Sequence, residues 1–114
     1  MYIVYTDYVY FFSRKVMKIM ELIASKMVAT KIFAKHGVTL IEAEEAFNNF
    51  IGYPLVDNRT KNRTKPATVW CLSETYDGRV LKLVFIPYPQ EKLAVLRTAY
   101  EPDDVEIALW NENQ

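Results

Sequence analysis

The spacing of apolar side chains predicts two helices in the first half of the chain. Residues 14–35 are expected to form the first helix, because large apolar side chains recur there at spacings of four, three and four residues. Gly37 follows this stretch and suits the left-handed conformation that ends many helices. The apolar stripe consists of Val16, Met20, Ile23 and Met27.

The second helix is marked by its first residues, 39–42 (TLIE), which match the S/T-x-x-E capping box. In this motif the hydroxyl of Thr39 accepts a hydrogen bond from the backbone N–H of Glu42, and the carboxylate of Glu42 accepts one from the N–H of Thr39. We therefore predict a helix over about residues 40–49.

The second half of the chain has the pattern of three strands and a short helix. Residues 67–73, 79–86 and 92–100 are rich in β-branched and other apolar residues, which favour strands. Their connections are short, which predicts an antiparallel meander. Residues 102–110 begin with Pro102 and two aspartates, as the first turn of a helix often does, and predict a short C-terminal helix.

Two segments are harder to assign to the core of the domain. Residues 2–12 are dense in Tyr, Val and Phe, which favours a strand. Residues 1–16 are therefore either an extra N-terminal strand or an extension foreign to the fold, with Met17 and Met20 as alternative starts. Residues 57–66 hold no large apolar side chain and are predicted to form a loop.

These elements predict one α+β domain over residues 1–114, with two helices packed on a small antiparallel sheet and a short C-terminal helix. Apolar residues make up 51% of the chain, which is enough for a packed core. Fourteen basic and fourteen acidic side chains cancel, so net charge gives no case for binding nucleic acid. The charge is nevertheless segregated, since residues 101–112 carry five acidic and no basic side chains.

Composition also limits the chemistry that the chain can perform. The single cysteine, Cys71, excludes an internal disulfide, and the single histidine, His36, excludes a His-rich metal site within one chain. The sequence contains neither of the common glycine-rich phosphate-binding motifs. We therefore expect no metal and no cofactor.

The N-terminal apolar run does not have the pattern of a signal peptide. Arg14 and Lys15 follow the run instead of preceding it, and Asp7 interrupts it. Later apolar stretches are broken by lysines and do not approach the roughly 18–20 residues of a membrane span. We expect a soluble, cytoplasmic protein with no membrane contact.

Three segments resemble the BrnT family, toxins of type II toxin–antitoxin pairs with a RelE-like fold. Residues 35–47 (KHGVTLIEAEEAF) are similar to the family's K-H-G-V-[ST]-F-x-E-A-x-x-[VA]-F segment. Residues 72–84 resemble its G-x-[ST]-x-D-G-R-x-L-x-V-V hairpin, and residues 96–99 (LRTA) resemble its S-A-R-x-A pattern with Arg97 at the arginine position. The resemblance covers roughly residues 24–110.

This resemblance implies a RelE-like fold and a metal-independent endoribonuclease that cleaves mRNA and so inhibits translation. In such toxins the 2′-hydroxyl attacks the adjacent phosphate, which requires a base, an acid for the 5′-oxygen and cations for the charged phosphorane. The resemblance also implies a partner, a small DNA-binding antitoxin of the ribbon-helix-helix type.

Two of the four candidate catalytic residues lie beside a helix end or a turn. His36 is either a general acid or base, or a cap residue that complements the dipole of the first helix. Arg79 follows the Asp77-Gly78 turn, and we interpret it as structural or as a residue that steers RNA more than as a catalytic one.

The other two candidates lie on the last predicted strand. Arg97 either holds the scissile phosphate or is a surface arginine that shares a face with Leu93 and Val95. An arginine among apolar side chains is costly unless it is paired. Tyr100 lies near Arg97, but a period of two places it on the opposite face.

Several basic residues are candidates for contact with an RNA backbone, although a solvated loop is the commoner explanation for those in residues 57–66. They are Lys35, Arg59, Lys61, Arg63 and Lys65. Cys71, Trp70 and Trp110 are predicted to pack in the core.

Two other functions stay open. One is a non-catalytic protein-binding module of the same fold that has lost the RNase site, and the other is a structural homodimer formed through a sheet edge or the aromatic N-terminus. The neutral charge favours the module, as do Cys71 and Leu96, which stand where the family has Gly and Ser. Arg97, Arg79 and His36 favour the enzyme.

Overall fold

The computed structural model describes residues 20–57 and 66–114. The predicted strand at 2–12 and most of the predicted loop at 57–66 lie outside the described residues. The five strands are β1 (Glu21–Ile23), β2 (Leu55–Val56), β3 (Val69–Glu74), β4 (Val80–Tyr88) and β5 (Leu93–Tyr100). The three α-helices are α1 (Lys26–His36), α2 (Leu40–Asn48) and α3 (Asp104–Glu112), and a 3₁₀ turn spans Pro89–Glu91.

The strands form one sheet in the order β1-β5-β4-β3-β2. The predicted meander is confirmed, since β3, β4 and β5 pair antiparallel in sequence order. Two short edge strands were not predicted. β2 pairs antiparallel with β3, and β1 pairs parallel with β5, with Leu22 opposite Ala94. The domain is therefore α+β with a mostly antiparallel sheet.

The prediction of one helix over 14–35 is wrong at residues 21–23, which form β1. Pairing with β5 buries Leu22, and this gain depends on residues far away in the sequence. The helix begins only after Ser25, whose hydroxyl accepts a hydrogen bond from the N–H of Val28 at 3.1 Å. The predicted apolar stripe also fails, because Met27 is 79% exposed and Ile32 is the buried residue of α1.

Both ends of the α1–α2 connection follow the predicted local chemistry. Gly37 ends α1 with a φ of 63°, in the left-handed region. Both hydrogen bonds of the capping box between Thr39 and Glu42 are present at the start of α2. The C-terminal helix begins two residues later than predicted, since Asp103 is its N-cap and forms a second capping box with Glu106.

Helices cover both faces of the sheet. The strand register places Leu83, Phe85 and Ala99 on one face, where Phe85 meets Phe47 of α2 edge to face at 5.5 Å between ring centroids. The register places Trp70 on the other face, where it lies 5.9 Å from Trp110 of α3. We call these the α1/α2 face and the α3 face.

A β-bulge interrupts the pairing of β4 with β5. Phe85 lies opposite Leu96 but Val84 lies opposite Thr98, so Arg97 is an extra residue in β5. The bulge shifts the alternation beyond it by one residue. As a result Tyr100, which lies opposite Lys82, is on the α3 face together with Leu93 and Val95, whose partners are Tyr88 and Ile86. The prediction that Tyr100 lies on the face opposite to theirs is wrong for this reason.

Candidate functional site

Three of the predicted site residues meet at one end of the sheet. β4 begins and the antiparallel β5 ends there, so Arg79 and Tyr100 lie at the same end. α1 ends at His36, whose imidazole lies against the Tyr100 ring with 5.3 Å between centroids and 37° between planes. The fold therefore brings His36, Arg79 and Tyr100 into one cluster, which we call the sheet-end cluster.

Arg79 connects three elements through its guanidinium group. Its Nη1 donates to the carbonyl of Gly37 at 3.0 Å and to the carboxylate of Glu42 at 3.1 Å. Its Nη2 donates to the carbonyl of His36 at 3.3 Å, and its Nε donates to Glu101 at 3.3 Å. Two carboxylates thus share its single positive charge. Arg79 fixes the end of α1, and with it the position of His36.

The same contacts act on the ionisation of Glu42. Its carboxylate accepts a hydrogen bond from the backbone N–H of Thr39 at 3.0 Å. This bond is the largest contribution to a pKa below the ordinary glutamate value, and the contacts with Arg79 lower it further against an opposing effect of burial. Glu42 is therefore an anion that serves both the helix cap and the ion pair.

Behind the sheet-end cluster lies a buried ion pair. Lys82 Nζ lies 2.5 Å from Glu106 Oε2, and the two side chains are only 5% and 14% exposed. The Tyr100 hydroxyl donates to the same oxygen at 2.8 Å. Burial raises the pKa of Glu106, but hydrogen bonds from Lys82, the Asp103 N–H and Tyr100 outweigh it and hold the pKa below its ordinary value.

Sequence reasoning missed this pair, although both members leave a signal. Lys82 interrupts the apolar run of the central strand, where a lysine is costly unless it is paired. Its ammonium group lies 4.5 Å from the centre of the Trp70 ring, a cation–π distance. Glu106 is the third residue after Asp103, the spacing of a capping box.

Arg97 stands apart from the sheet-end cluster. It is exposed at the bulge, and within the described residues its side chain has no hydrogen bond or ion pair. It lies three residues before Tyr100, or roughly 10 Å along the strand. Its guanidinium group is therefore available to an anion, unlike that of Arg79.

Lys35 is exposed in the last turn of α1, next to His36. The other predicted RNA-contacting residues, Arg59, Lys61, Arg63 and Lys65, lie outside the described residues.

The predicted core residues among the candidates are confirmed. Cys71 is fully buried, and this burial raises the pKa of its thiol well above the ordinary value. Trp70 and Trp110 are 1% and 8% exposed. Within residues 20–57 and 66–114, no cluster of three His, Cys, Asp or Glu side chains has an arrangement that could hold a metal ion. In the same ranges, no helix has the length and apolar character needed to cross a membrane.

The arrangement can perform acid–base and anion chemistry. His36 offers an exposed imidazole, a side chain that can act as a general acid or a general base. Lys35 adds an exposed positive charge next to it in the last turn of α1, and Arg97 offers a second exposed cation farther along β5. A scan against protein-family models, a search of curated proteins and a search of solved structures each found no match.

Proposed function

We propose that the protein is a toxin of a type II toxin–antitoxin pair, a metal-independent endoribonuclease that cleaves mRNA and inhibits translation. The observation that supports this proposal is the exposed His36 imidazole held against the Tyr100 ring, next to a guanidinium group that fixes its backbone. The BrnT-like motifs at residues 35–47 and 96–99 agree with it.

The reaction assigns a role to each side chain. The 2′-oxygen of RNA forms a bond to the adjacent phosphorus, and the bond from phosphorus to the 5′-oxygen breaks. His36 accepts the proton of the 2′-hydroxyl while water protonates the leaving 5′-oxygen, or in its protonated form it supplies the proton to the 5′-oxygen while water takes up the 2′-proton. Lys35, an exposed cation next to His36, neutralises charge on the phosphorane, and the exposed Arg97 binds a phosphate of the RNA backbone farther along the strand. Arg79 is a positioning residue, since it touches the His36 carbonyl.

The test is cleavage of a labelled RNA by purified protein in the presence of EDTA. Wild type is expected to cleave and to leave 2′,3′-cyclic phosphate ends, and His36→Gln is expected to lose about 10²-fold or more of the rate. Lys31→Gln is the matched control, because Lys31 is an exposed residue of the same helix. Equal cleavage by wild type and His36→Gln would refute the assignment of His36.

One observation favours the second candidate, a non-catalytic protein-binding module of the same fold. The guanidinium group of Arg79 is bonded to Glu42, Glu101 and two carbonyls, which leaves it poorly suited to bind a phosphate. A well-folded wild type that cleaves no RNA but binds a ribbon-helix-helix protein, or forms a homodimer, would favour this candidate over the nuclease.

A further inference from the structure

On the α3 face, one buried donor and one half-buried donor contact the same carboxylate oxygen. Glu106 Oε2 lies 2.5 Å from Lys82 Nζ and accepts the hydrogen bond of the Tyr100 hydroxyl at 2.8 Å. The lysine side chain is only 5% exposed, and it lies over the ring of Trp70. An ammonium group and a phenol that converge on one oxygen make a site for an oxyanion, and here the oxyanion comes from the chain itself.

The helix that supplies this carboxylate packs on the sheet along a single stripe, in which Trp110 lies 5.9 Å from Trp70 and 6.1 Å from Phe50 between ring centroids. Its inward stripe consists of Glu106, Leu109, Trp110 and Asn113, and its other residues are exposed. Beyond the helix, the side chain of Gln114 accepts a hydrogen bond from the N–H of Tyr53 at 2.7 Å and donates one to its carbonyl at 3.1 Å. α3 thus contacts the rest of the domain along one stripe of side chains and, just beyond its C-terminal end, through Gln114. We call α3 the strap for this reason.

The surface under α3 has the composition of a site for single-stranded RNA. Lys82 supplies positive charge, and the rings of Trp70 and Tyr100 lie within 5.4 Å of its ammonium group. Aromatic rings on a sheet stack with bases, while a cation between them binds the phosphate. The strap has the opposite charge, since residues 104–112 carry three acidic and no basic side chains.

We infer that Lys82 and Tyr100 form a phosphate-binding site for single-stranded RNA, that Glu106 occupies this site in cis, and that α3 is an autoinhibitory strap. This inference rests on the proposed function, because it assigns RNA as the ligand. A phosphate that replaces the Glu106 carboxylate conserves both donor contacts and the charge balance of Lys82. Glu106 therefore competes with RNA for the same two donors.

The test compares Glu106→Gln with Glu112→Gln in the full chain, both in a His36→Gln background so that RNA stays intact. Glu112 is an exposed acidic residue of the same helix, so its variant matches the loss of one charge. The probe is a fluorescein-labelled oligouridylate, and its anisotropy reports binding. We expect Glu106→Gln to bind at least about tenfold more tightly than Glu112→Gln, and Lys82→Met to remove this gain.

A second variant tests the same site by a measurement that also reports whether the protein is folded. Glu106→Ala opens space for a small anion, so millimolar inorganic phosphate is expected to raise its melting temperature but not that of Glu112→Gln. Folded Glu106 variants that bind neither probe better than Glu112→Gln would overturn the inference. This result is distinguishable from failure of the proposed function, which is decided separately by RNA cleavage with the His36-containing protein.

Discussion

Replacing Lys82 by methionine tests whether the buried ion pair stabilises the fold. The variant loses a charge-assisted hydrogen bond of 2.5 Å to Glu106, for which about 1.5–3 kcal/mol is typical. It also loses the cation–π contact with Trp70, for which about 0.5–2 kcal/mol is typical, while the methionine side chain restores part of the packing on that ring. Because Glu106 stays behind as a largely buried carboxylate, we expect a net loss of about 2–4 kcal/mol in the free energy of unfolding.

The assay is equilibrium unfolding in urea at neutral pH, with a double-mutant cycle that adds Glu106→Gln. The double variant removes both charges, so it is expected to be less destabilised than the sum of the single variants by about 1.5 kcal/mol or more. A loss below about 1 kcal/mol in Lys82→Met, or additive single and double variants, would refute the reasoning. The pair would then contribute no net stability, as is known for some buried ion pairs.

Three further perturbations test the caps and the arginine contacts. Gly37→Ala is expected to cost about 1 kcal/mol in unfolding free energy, because the backbone φ is 63° at this position. A Cβ atom there would meet no atom within 4 Å, so the loss measures backbone strain alone. Gly37→Asn should cost less, because asparagine tolerates the left-handed conformation better than alanine. Thr39→Ala removes the acceptor for the Glu42 N–H and is expected to cost about 1 kcal/mol, whereas Ile41→Ala at an exposed site should be nearly neutral. Arg79→Met removes contacts that help to depress the pKa of Glu42 in the folded state. A lowered pKa of Glu42 in the folded state stabilises the fold above the unfolded pKa of 4.5, and this stability is lost as the pH falls through the folded-state pKa. The free energy of unfolding of Arg79→Met should therefore fall less than that of wild type on acidification. Parallel plots of unfolding free energy against pH for the two proteins would contradict this.

Local signals explain why the α1–α2 connection was predicted well. The capping box at Thr39 and the left-handed glycine at position 37 depend on residues within four positions of one another, so the sequence contains the whole interaction. β1 is the opposite case. Residues 21–23 become a strand only because β5, some seventy positions later, offers a parallel edge. Its burial pattern, one buried residue between two exposed ones, is too short to show a period of two in the sequence.

The site was predictable to a similar extent. His36 and Arg79 lie in the BrnT-like motifs, whereas Tyr100 is a candidate because it lies near Arg97 on the same predicted strand. The antiparallel hairpin brings Arg79 and Tyr100 to one end of the sheet. The partners of Arg79 and the pairing of Lys82 with Glu106 are contacts across 22 to 43 positions, which no spacing rule contains. The face of Tyr100 was mispredicted because a bulge carries no dependable sequence signature of its own.

Because of the bulge at Arg97, β5 is expected to tolerate the deletion of one residue, a change that disrupts most strands. Removing one residue from a strand normally inverts every side chain beyond the cut, so that the buried set faces water. Here the residue in excess is Arg97, and Leu96 and Thr98 already face consecutive positions, Phe85 and Val84. Deleting Arg97 would leave Thr98, Ala99 and Tyr100 opposite their present partners in an unbroken ladder. The pairing of β4 with β5 does not require Arg97. A one-residue deletion therefore tests the role of Arg97 in function while the sheet keeps its register.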